Sequence, residues 1–400
     1  MQTNTKTKTV CLLTLHRVEE AYGGIESFVS TLLDWLNRKG VRAVVVGRRL
    51  SILKPVVLSN HLSEKEKRDR VLRIKLPAFL YALGMLFYSF FSVLTLLRFV
   101  RREGIELIHA QDLSFAGFAG VMLSKLIGIP LITHSHGPPI YLLEKPSGRS
   151  STWRVTERML IRITVDNSDI ILATDKQTEK IISSFVRKQT PIVVLPTAIN
   201  TCYYQNSKTN EKLACSRDEI ILGFLGRLTR QKNPEIVIRA VANLSSSTVK
   251  LFVIGDGPLR TYLEKEAKRL RIENSILFFG AVPDERKLEL LKEIDIFLMP
   301  SIAEGCPIGL LEAMATGKAI IASNIPCIQE IVRDCEEAIL VDPYDVEELK
   351  RAILLLCNDP DLRIKLGRRA KERAKLYDVD QVYGQILRLY KEIINTITSL

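Results

Sequence analysis

Short apolar runs alternate with amphipathic stretches along almost the whole chain. In the first half, "TVCLLTL" (9–15), "VRAVVVG" (41–47), "IELIHA" (105–110), "PLITHSH" (130–136), "DIILAT" (169–174) and "PIVVLP" (191–196) read as strands. They are brief, mostly rich in β-branched residues and bounded by turn signals. Between them lie apolar residues at helical spacing, as in "IESFVSTLLDWLNRKG" (25–40), which stops at a glycine, and "FAGFAGVMLSKLIG" (115–128). The strand segments are apolar on nearly every position rather than on alternate ones. That pattern predicts a parallel sheet covered by helices on both faces.

A polar stretch, "NSKTNEKLACSRDE" (206–219), interrupts the pattern, which then restarts with "IILGFLG" (220–226), "VKLFVIG" (249–255), "SILFFG" (275–280), "IDIFLMP" (294–300), "AIIAS" (319–323) and "AILVDP" (338–343). The expectation is two doubly wound α/β domains, over 1–205 and 206–375. A final helix over 376–400, "YDVDQVYGQILRLYKEII", has the apolar spacing of a packed element. In doubly wound sheets ligands bind beyond the carboxyl ends of the strands, so the loops after strands are where chemistry is sought.

Composition narrows the function classes. With 400 residues, 46% hydrophobic and 26% charged, the chain can bury two ordinary cores. The net charge of +12 favours anionic partners: nucleotide diphosphates, lipid headgroups or nucleic acid. No basic patch interleaved with aromatics occurs, which argues against nucleic acid. The seven cysteines are odd in number and form no CxxC, so neither a disulfide framework nor a zinc site is expected. The apolar run at the N-terminus is too short for a secretory leader, which points to the cytoplasm.

Residues 77–97, "PAFLYALGMLFYSFFSVLTLL", carry no charge, with Arg73 and Lys75 before and Arg98, Arg101 and Arg102 after. The length would just span a bilayer, but Pro77, Gly84, Ser89, Ser92 and Thr95 dilute it. A helix buried in the domain fits best, then a helix that also meets a membrane face, and last a true span.

Four loops of the second half hold unusual residues. "GFLGRLTRQKN" places Arg227 and Lys232 just after a strand, two cations suited to a diphosphate, although isolated surface cations are the ordinary reading. "GDGP" (255–258) and "FGAVPDE" (279–285) are strand-to-helix turns. "SIAEGCPIGLLEAMATG" (301–317) sets Glu304 in a loop and Glu312 about one turn into a helix opened by Pro307. Amides of Ile308, Gly309 and Leu310 would face an anion at that helix start. Either carboxylate could bind two hydroxyls of a vicinal diol. The ordinary alternatives are a helix-start anion for Glu304 and an exposed helical position for Glu312.

The series "GRLTRQKN…VIGDGP…FFGAV…MPSIAEGCPIGLLEAMATGKAIIAS" resembles, across about 120 residues, the retaining glycosyltransferase family 4, also called glycosyl transferases group 1. The resemblance implies an α/β fold of the GT-B type: two Rossmann-like, doubly wound parallel-sheet domains facing across a cleft, the second holding a nucleotide-sugar donor. It implies that Arg227 and Lys232 bind the diphosphate, Glu312 the ribose and Glu304 the donor sugar. The amides of Ile308, Gly309 and Leu310 would touch phosphate or sugar, and the turn Gly280–Val282 would border the base. "AYGGIES" (21–27) resembles the family's Gly-rich loop, with Gly23 and Gly24 near the diphosphate. "PLITHSHGPP" would bring His136 to the sugar as a catalytic contact, beside Glu304, Arg227 and Lys232, whereas core packing is the ordinary reading of His109 and His134. "IELIHAQD" departs from the family in Glu106 and Gln111, and "LPTAIN" in Asn200.

The resemblance further implies transfer of a sugar from a UDP- or GDP-sugar to an acceptor hydroxyl, with the anomeric configuration retained. The acceptor would be a glycan or lipid-linked precursor: the uncharged 77–97 stretch and its basic flanks suggest a lipid-linked one at the inner face of the membrane, and a soluble sugar or polysaccharide is the alternative. No cofactor and no metal are expected, because cations already serve the diphosphate. "DPD" (359–361) and "DVD" (378–380) read as helix-start or loop residues instead of a metal site. A non-catalytic scaffold that binds sugar nucleotides or a membrane is the alternative, and the full set Arg227, Lys232, Glu304 and Glu312 argues against it.

Overall fold

A computed structural model describes residues 9–14, 24–48, 55–58, 93, 97, 104–137, 151–206, 219–244, 248–305 and 307–398. The chain divides into two units, residues 1–197 with 382–400, and residues 198–381.

In the first unit the strands are β1 (Thr9–Leu13), β2 (Arg42–Arg48), β3 (Pro55–Leu58), β4 (Ile105–Ala110), β5 (Leu131–Ser135), β6 (Ile170–Ala173) and β7 (Ile192–Val194). The helices are α1 (Gly24–Arg38), α2 (Phe115–Ile127), α3 (Ser151–Asn167) and α4 (Lys176–Ser183). The sheet runs β3-β2-β1-β4-β5-β6-β7 and is parallel except for the antiparallel pair β2/β3. β3 lies at the edge and begins on a proline, a position where a missing N–H removes no ladder bond. One sheet face carries Cys11, Leu13, Ile108, Ala110 and Leu131 against α2. Val93 and Leu97 pack into that same cluster. They alone represent the 77–97 segment; its other residues lie outside those described. Among the described residues no helix is long and apolar enough to cross a membrane.

The second unit opens with α5 (Thr201–Asn206). It continues through β8 (Ile220–Leu225), α6 (Pro234–Ala242), β9 (Val249–Ile254), α7 (Arg260–Arg269), β10 (Ile276–Gly280), α8 (Asp284–Glu293) and β11 (Ile296–Met299). Then come α9 (Ile308–Ala315), β12 (Ala319–Ser323), α10 (Pro326–Gln329), β13 (Ile339–Val341), α11 (Val346–Asn358) and α12 (Pro360–Ala374). Its sheet is wholly parallel, in the order β10-β9-β8-β11-β12-β13, with an apolar cluster on each face. α13 (Val379–Thr398) begins in this unit, and from Val382 onward belongs to the first.

Both expected boundaries, at 205/206 and 375/376, shift to 197/198 and 381/382. Hydrogen bonds explain the shift. Ile199 N–H donates to Tyr377 O at 2.8 Å, and Val379 N–H to Ile199 O at 3.0 Å. Asp378 also accepts from the Thr201 amide and hydroxyl. Residues 198–206 are therefore fastened to the second unit, although the polar break in the sequence starts only at 206. Most of that break, 207–218, lies outside the described residues.

The loops after β8 and β9 are zipped together. Gly226 N–H donates to Ile254 O at 3.0 Å, and Leu228 N–H to Asp256 O at 3.0 Å. Gly255 sits at φ +131°, where a Cβ would lie 2.0 Å from the Gly226 carbonyl oxygen. No side chain yields there, since the clash is with backbone. Gly255→Ala is expected to destabilise the protein by at least ~1–3 kcal/mol from backbone strain alone. Urea unfolding would measure this, and an unchanged midpoint would count against the close approach.

Candidate functional site

In the second sheet the strand order reverses between β8 and β11, which are hydrogen-bonded neighbours. Loops leaving that switch point are where a doubly wound sheet takes a ligand. The β8 loop forms a single 3-10 turn at Arg230–Lys232, closed by Asn233 in the left-handed region at φ 52°. The Asn233 side chain donates to Pro343 O at 2.7 Å and holds this turn. The β11 loop is laced to it: Ile302 N–H donates to Gln231 O at 2.8 Å, and Gln231 Nε2 to Ala303 O at 2.9 Å.

This lacing aligns two side chains that the sequence singles out. Lys232 Nζ lies 2.6 Å from both carboxylate oxygens of Glu304. The carboxylate side chain is 2% exposed and the lysine 24%. The sequence places both residues at the site but does not anticipate that Lys232 pairs with Glu304. Arg227 is exposed after β8 and makes no ion pair with any described residue.

α9 starts at Ile308 behind Pro307, and all its residues from Leu310 to Ala315 are buried. The amides of Ile308 and Gly309 have no backbone acceptor among the described residues. The Leu310 amide does not share that freedom, because it donates to Pro307 O at 3.0 Å. Of three amides expected to face an anion, only that of Leu310 has a backbone acceptor among the described residues, the Pro307 carbonyl. Cys306 lies outside the described residues.

Glu312 is not an exposed helical residue: it is 3% exposed. The Tyr204 hydroxyl donates to Oε1 at 2.6 Å, and Lys287 Nζ lies 2.7 Å from the same atom. Lys287 also pairs with Asp284 Oδ1 at 2.8 Å. Burial alone would lower the Lys287 pKa, but the charges and hydrogen bonds of Glu312 and Asp284 outweigh it and raise the ammonium above the usual lysine value. Burial, then the Glu312 charge and hydrogen bond, push the Tyr204 phenol well above its usual value, so it stays a donor. Neither Tyr204 nor Lys287 stands out in the sequence. Gly280 closes β10 at φ +72° with its carbonyl accepting from Gly255 N–H at 2.8 Å, and Val282 is half-buried against the core.

In the first unit the order reverses between β1 and β4. Gly24 is the first residue of α1; Gly23 lies outside the described residues. Side chains at alternate strand positions share a face, which puts His109, Gln111, His134 and His136 in one polar patch under α1 and α13. The rings of His109 and His134 stack at 5.6 Å, and those of His134 and His136 at 4.1 Å. Phe28 meets His134 and His136 edge-on. Tyr390 OH lies 2.5 Å from His109 Nδ1. Burial, then His136, bring the His109 pKa down to about 3; burial, then His109, hold His134 well below 6.5. Gln111 Nε2 donates to His109 O at 3.4 Å, which turns Oε1 toward His136 Nε2 at 3.0 Å. A ring N–H at His136 Nε2 can donate to that oxygen.

No group of three His, Cys, Asp or Glu side chains among the described residues could hold a metal ion. Asp359 caps α12 by accepting from Leu362 N–H, and Asp378 ties Thr201.

The family model described as glycosyl transferases group 1 matches residues 205–373, and that described as Glycosyltransferase Family 4 matches 22–202, together most of the chain. A D-inositol 3-phosphate glycosyltransferase of Corynebacterium efficiens is 27% identical over 320 residues, covering 74% of each chain. Sucrose-phosphate synthase of Thermosynechococcus elongatus superposes with a TM-score of 0.79 at 21% identity, over 97% of this chain and 100% of that one. HepE of Anabaena, in complex with UDP-glucose, superposes with a TM-score of 0.68 at 17% identity, over 98% of this chain and 100% of that one. These superpositions identify the fold as GT-B.

Proposed function

The chain belongs to glycosyltransferase family 4, glycosyl transferases group 1, and from that membership we propose that it moves a sugar from a UDP- or GDP-sugar to an acceptor hydroxyl with retained configuration. The observation that carries this reading is the Lys232–Glu304 clasp at the switch point, beside the open amides that start α9. The HepE complex supports a nucleotide-sugar donor.

The donor's diphosphate competes with Glu304 for Lys232. Once the phosphates take the ammonium, with Arg227 and the α9 amides, the released carboxylate is free to accept from sugar hydroxyls. The bond from the anomeric carbon to the phosphate oxygen then breaks while the acceptor oxygen bonds on the same face. The leaving phosphate takes the acceptor proton. Each preorganised donor aimed at the growing phosphate charge is worth about 2.7–4 kcal/mol. His136 is assigned to the sugar. Glu312 is assigned to the ribose and the Gly280–Val282 turn to the base.

With two cations and a helix start serving the phosphates, the reaction needs no metal. The acceptor is assigned as a lipid-linked or cell-surface glycan precursor at the cytoplasmic membrane face, on the strength of the uncharged 77–97 stretch between basic flanks. Because the Corynebacterium relative is named for D-inositol 3-phosphate, soluble phosphorylated acceptors belong in the same test.

Purified protein is incubated with a panel of UDP- and GDP-sugars, with lipid extract or soluble acceptors, and products are read by mass spectrometry. One donor is expected to turn over, equally well with EDTA. Loss of turnover in EDTA would refute metal independence. Nucleotide binding without turnover across the panel would favour a scaffold.

A further inference from the structure

The ribose role of Glu312 raises a physical problem. A carboxylate inside an otherwise apolar, buried helix needs partners for its charge, and it also needs one fixed orientation to recognise a diol. Tyr204 and Lys287 answer both needs. Tyr204 is 8% exposed, and Tyr203 meets its ring edge-on at 5.2 Å. Lys287 is anchored from the other side by Asp284 at 2.8 Å. Both donors converge on Oε1, at 2.6 and 2.7 Å, and no hydrogen bond from a described residue reaches Oε2.

Each carboxylate oxygen offers about two lone-pair sites. With Oε1 filled, a bidentate grip that places one hydroxyl on each oxygen is closed off. Oε2 keeps two sites, one for each hydroxyl of a vicinal diol. We propose that Tyr204 and Lys287 are positioning residues that pin Oε1 of Glu312 and so present Oε2 to the ribose diol of the nucleotide. This rests on the assignment of Glu312 to the ribose. Neither residue touches the reacting atoms; both act through Glu312. The hydroxyl of Tyr204 is the informative atom, because a phenylalanine there would fill the same space without fixing the carboxylate.

The test compares ribose and dideoxyribose nucleotides. Calorimetry with the full chain measures Kd for UDP, GDP and their 2′,3′-dideoxy forms. Wild-type protein is expected to prefer the ribose form of its own nucleotide by about tenfold or more, as a charged hydrogen-bond acceptor should. Tyr204→Phe should shrink that preference by roughly threefold, and Lys287→Met should abolish most of it. Lys287→Arg should restore much of it. The dideoxy nucleotide, which lacks the hydroxyls Glu312 would bind, should bind all variants within about twofold of wild type. A merely structural role predicts something else: both nucleotide forms weaken together and their ratio is unchanged. That result would overturn the proposal. Should Lys287→Met unfold, Tyr204→Phe alone decides. A wild-type protein that binds neither diphosphate, or does not distinguish the dideoxy form, defeats the ribose assignment and this inference with it. A wild-type preference that survives Tyr204→Phe and Lys287→Met defeats the inference alone.

Discussion

Glu304→Gln is expected to tighten binding of free nucleoside diphosphate by about threefold to tenfold, while lowering turnover of the sugar donor by about a hundredfold. The two effects have opposite signs because one side chain serves two states. Both Glu304 oxygens lie 2.6 Å from Lys232 Nζ, so a diphosphate that takes the ammonium displaces a carboxylate. Glutamine keeps the shape and removes the competing charge. With Lys232 at 24% exposure the pair is partly solvated, which limits the gain to the range given. Turnover falls because glutamine loses the anionic acceptor for the sugar hydroxyls. Lys232→Ala should weaken both binding and turnover. Calorimetry with UDP and GDP, beside donor turnover, separates the possibilities. Unchanged diphosphate affinity in Glu304→Gln would mean that Glu304 meets only the sugar. Weakened affinity would mean that it holds Lys232 in place for the phosphate.

The second large effect is on stability. Lowering the pH from 7.5 to 5.5 is expected to remove about 2–3 kcal/mol of folding free energy through His109 and His134. Both rings are buried, and both are held below their ordinary value of 6.5, His109 down to about 3. They remain neutral in the folded protein across this range, whereas the unfolded chain takes up protons below about 6.5. Stability from these groups is therefore complete above that pH and is lost as the pH falls toward the folded values. Urea unfolding at the two pH values measures it, and His134→Leu should roughly halve the difference. A wild-type protein equally stable at both would contradict a neutral, buried stack.

Legibility in the sequence followed local pattern and failed where partners were distant. The strands were readable because parallel strands covered on both faces must be apolar throughout. Their ends were less so. "PIVVLP" pairs only over Ile192–Val194, its flanking prolines being unable to donate to a ladder. β3 went unanticipated because "PVVL" is four residues at an edge, too short for its pattern to register. Lys232 and Glu304 are linked in the sequence only through the motif series that resembles the family; that their strands meet at the reversal of order is visible in the structure alone. Tyr204 could not be linked to Glu312, since 108 residues separate the two and nothing local marks its hydroxyl. Lys287 reads as a surface lysine paired with Asp284 one turn earlier, which is only half of what it does. Residue types do not reveal that the Pro307 carbonyl comes within reach of the Leu310 amide.

The parallel bridge between Ile199 and Asp378 brings together the two places where the chain passes from one unit to the other. Residues 198–381 thus form one uninterrupted insert whose termini are neighbours, and Arg227, Lys232, Lys287, Glu304, Glu312 and Tyr204 all travel within it. Two recombination events, near Thr197 and near Val382, would exchange these six residues together as a cassette while leaving the histidine stack and its α13 tyrosine with the host. The Lys232–Glu304 clasp and the Tyr204–Glu312–Lys287 cluster are in that sense heritable as one piece.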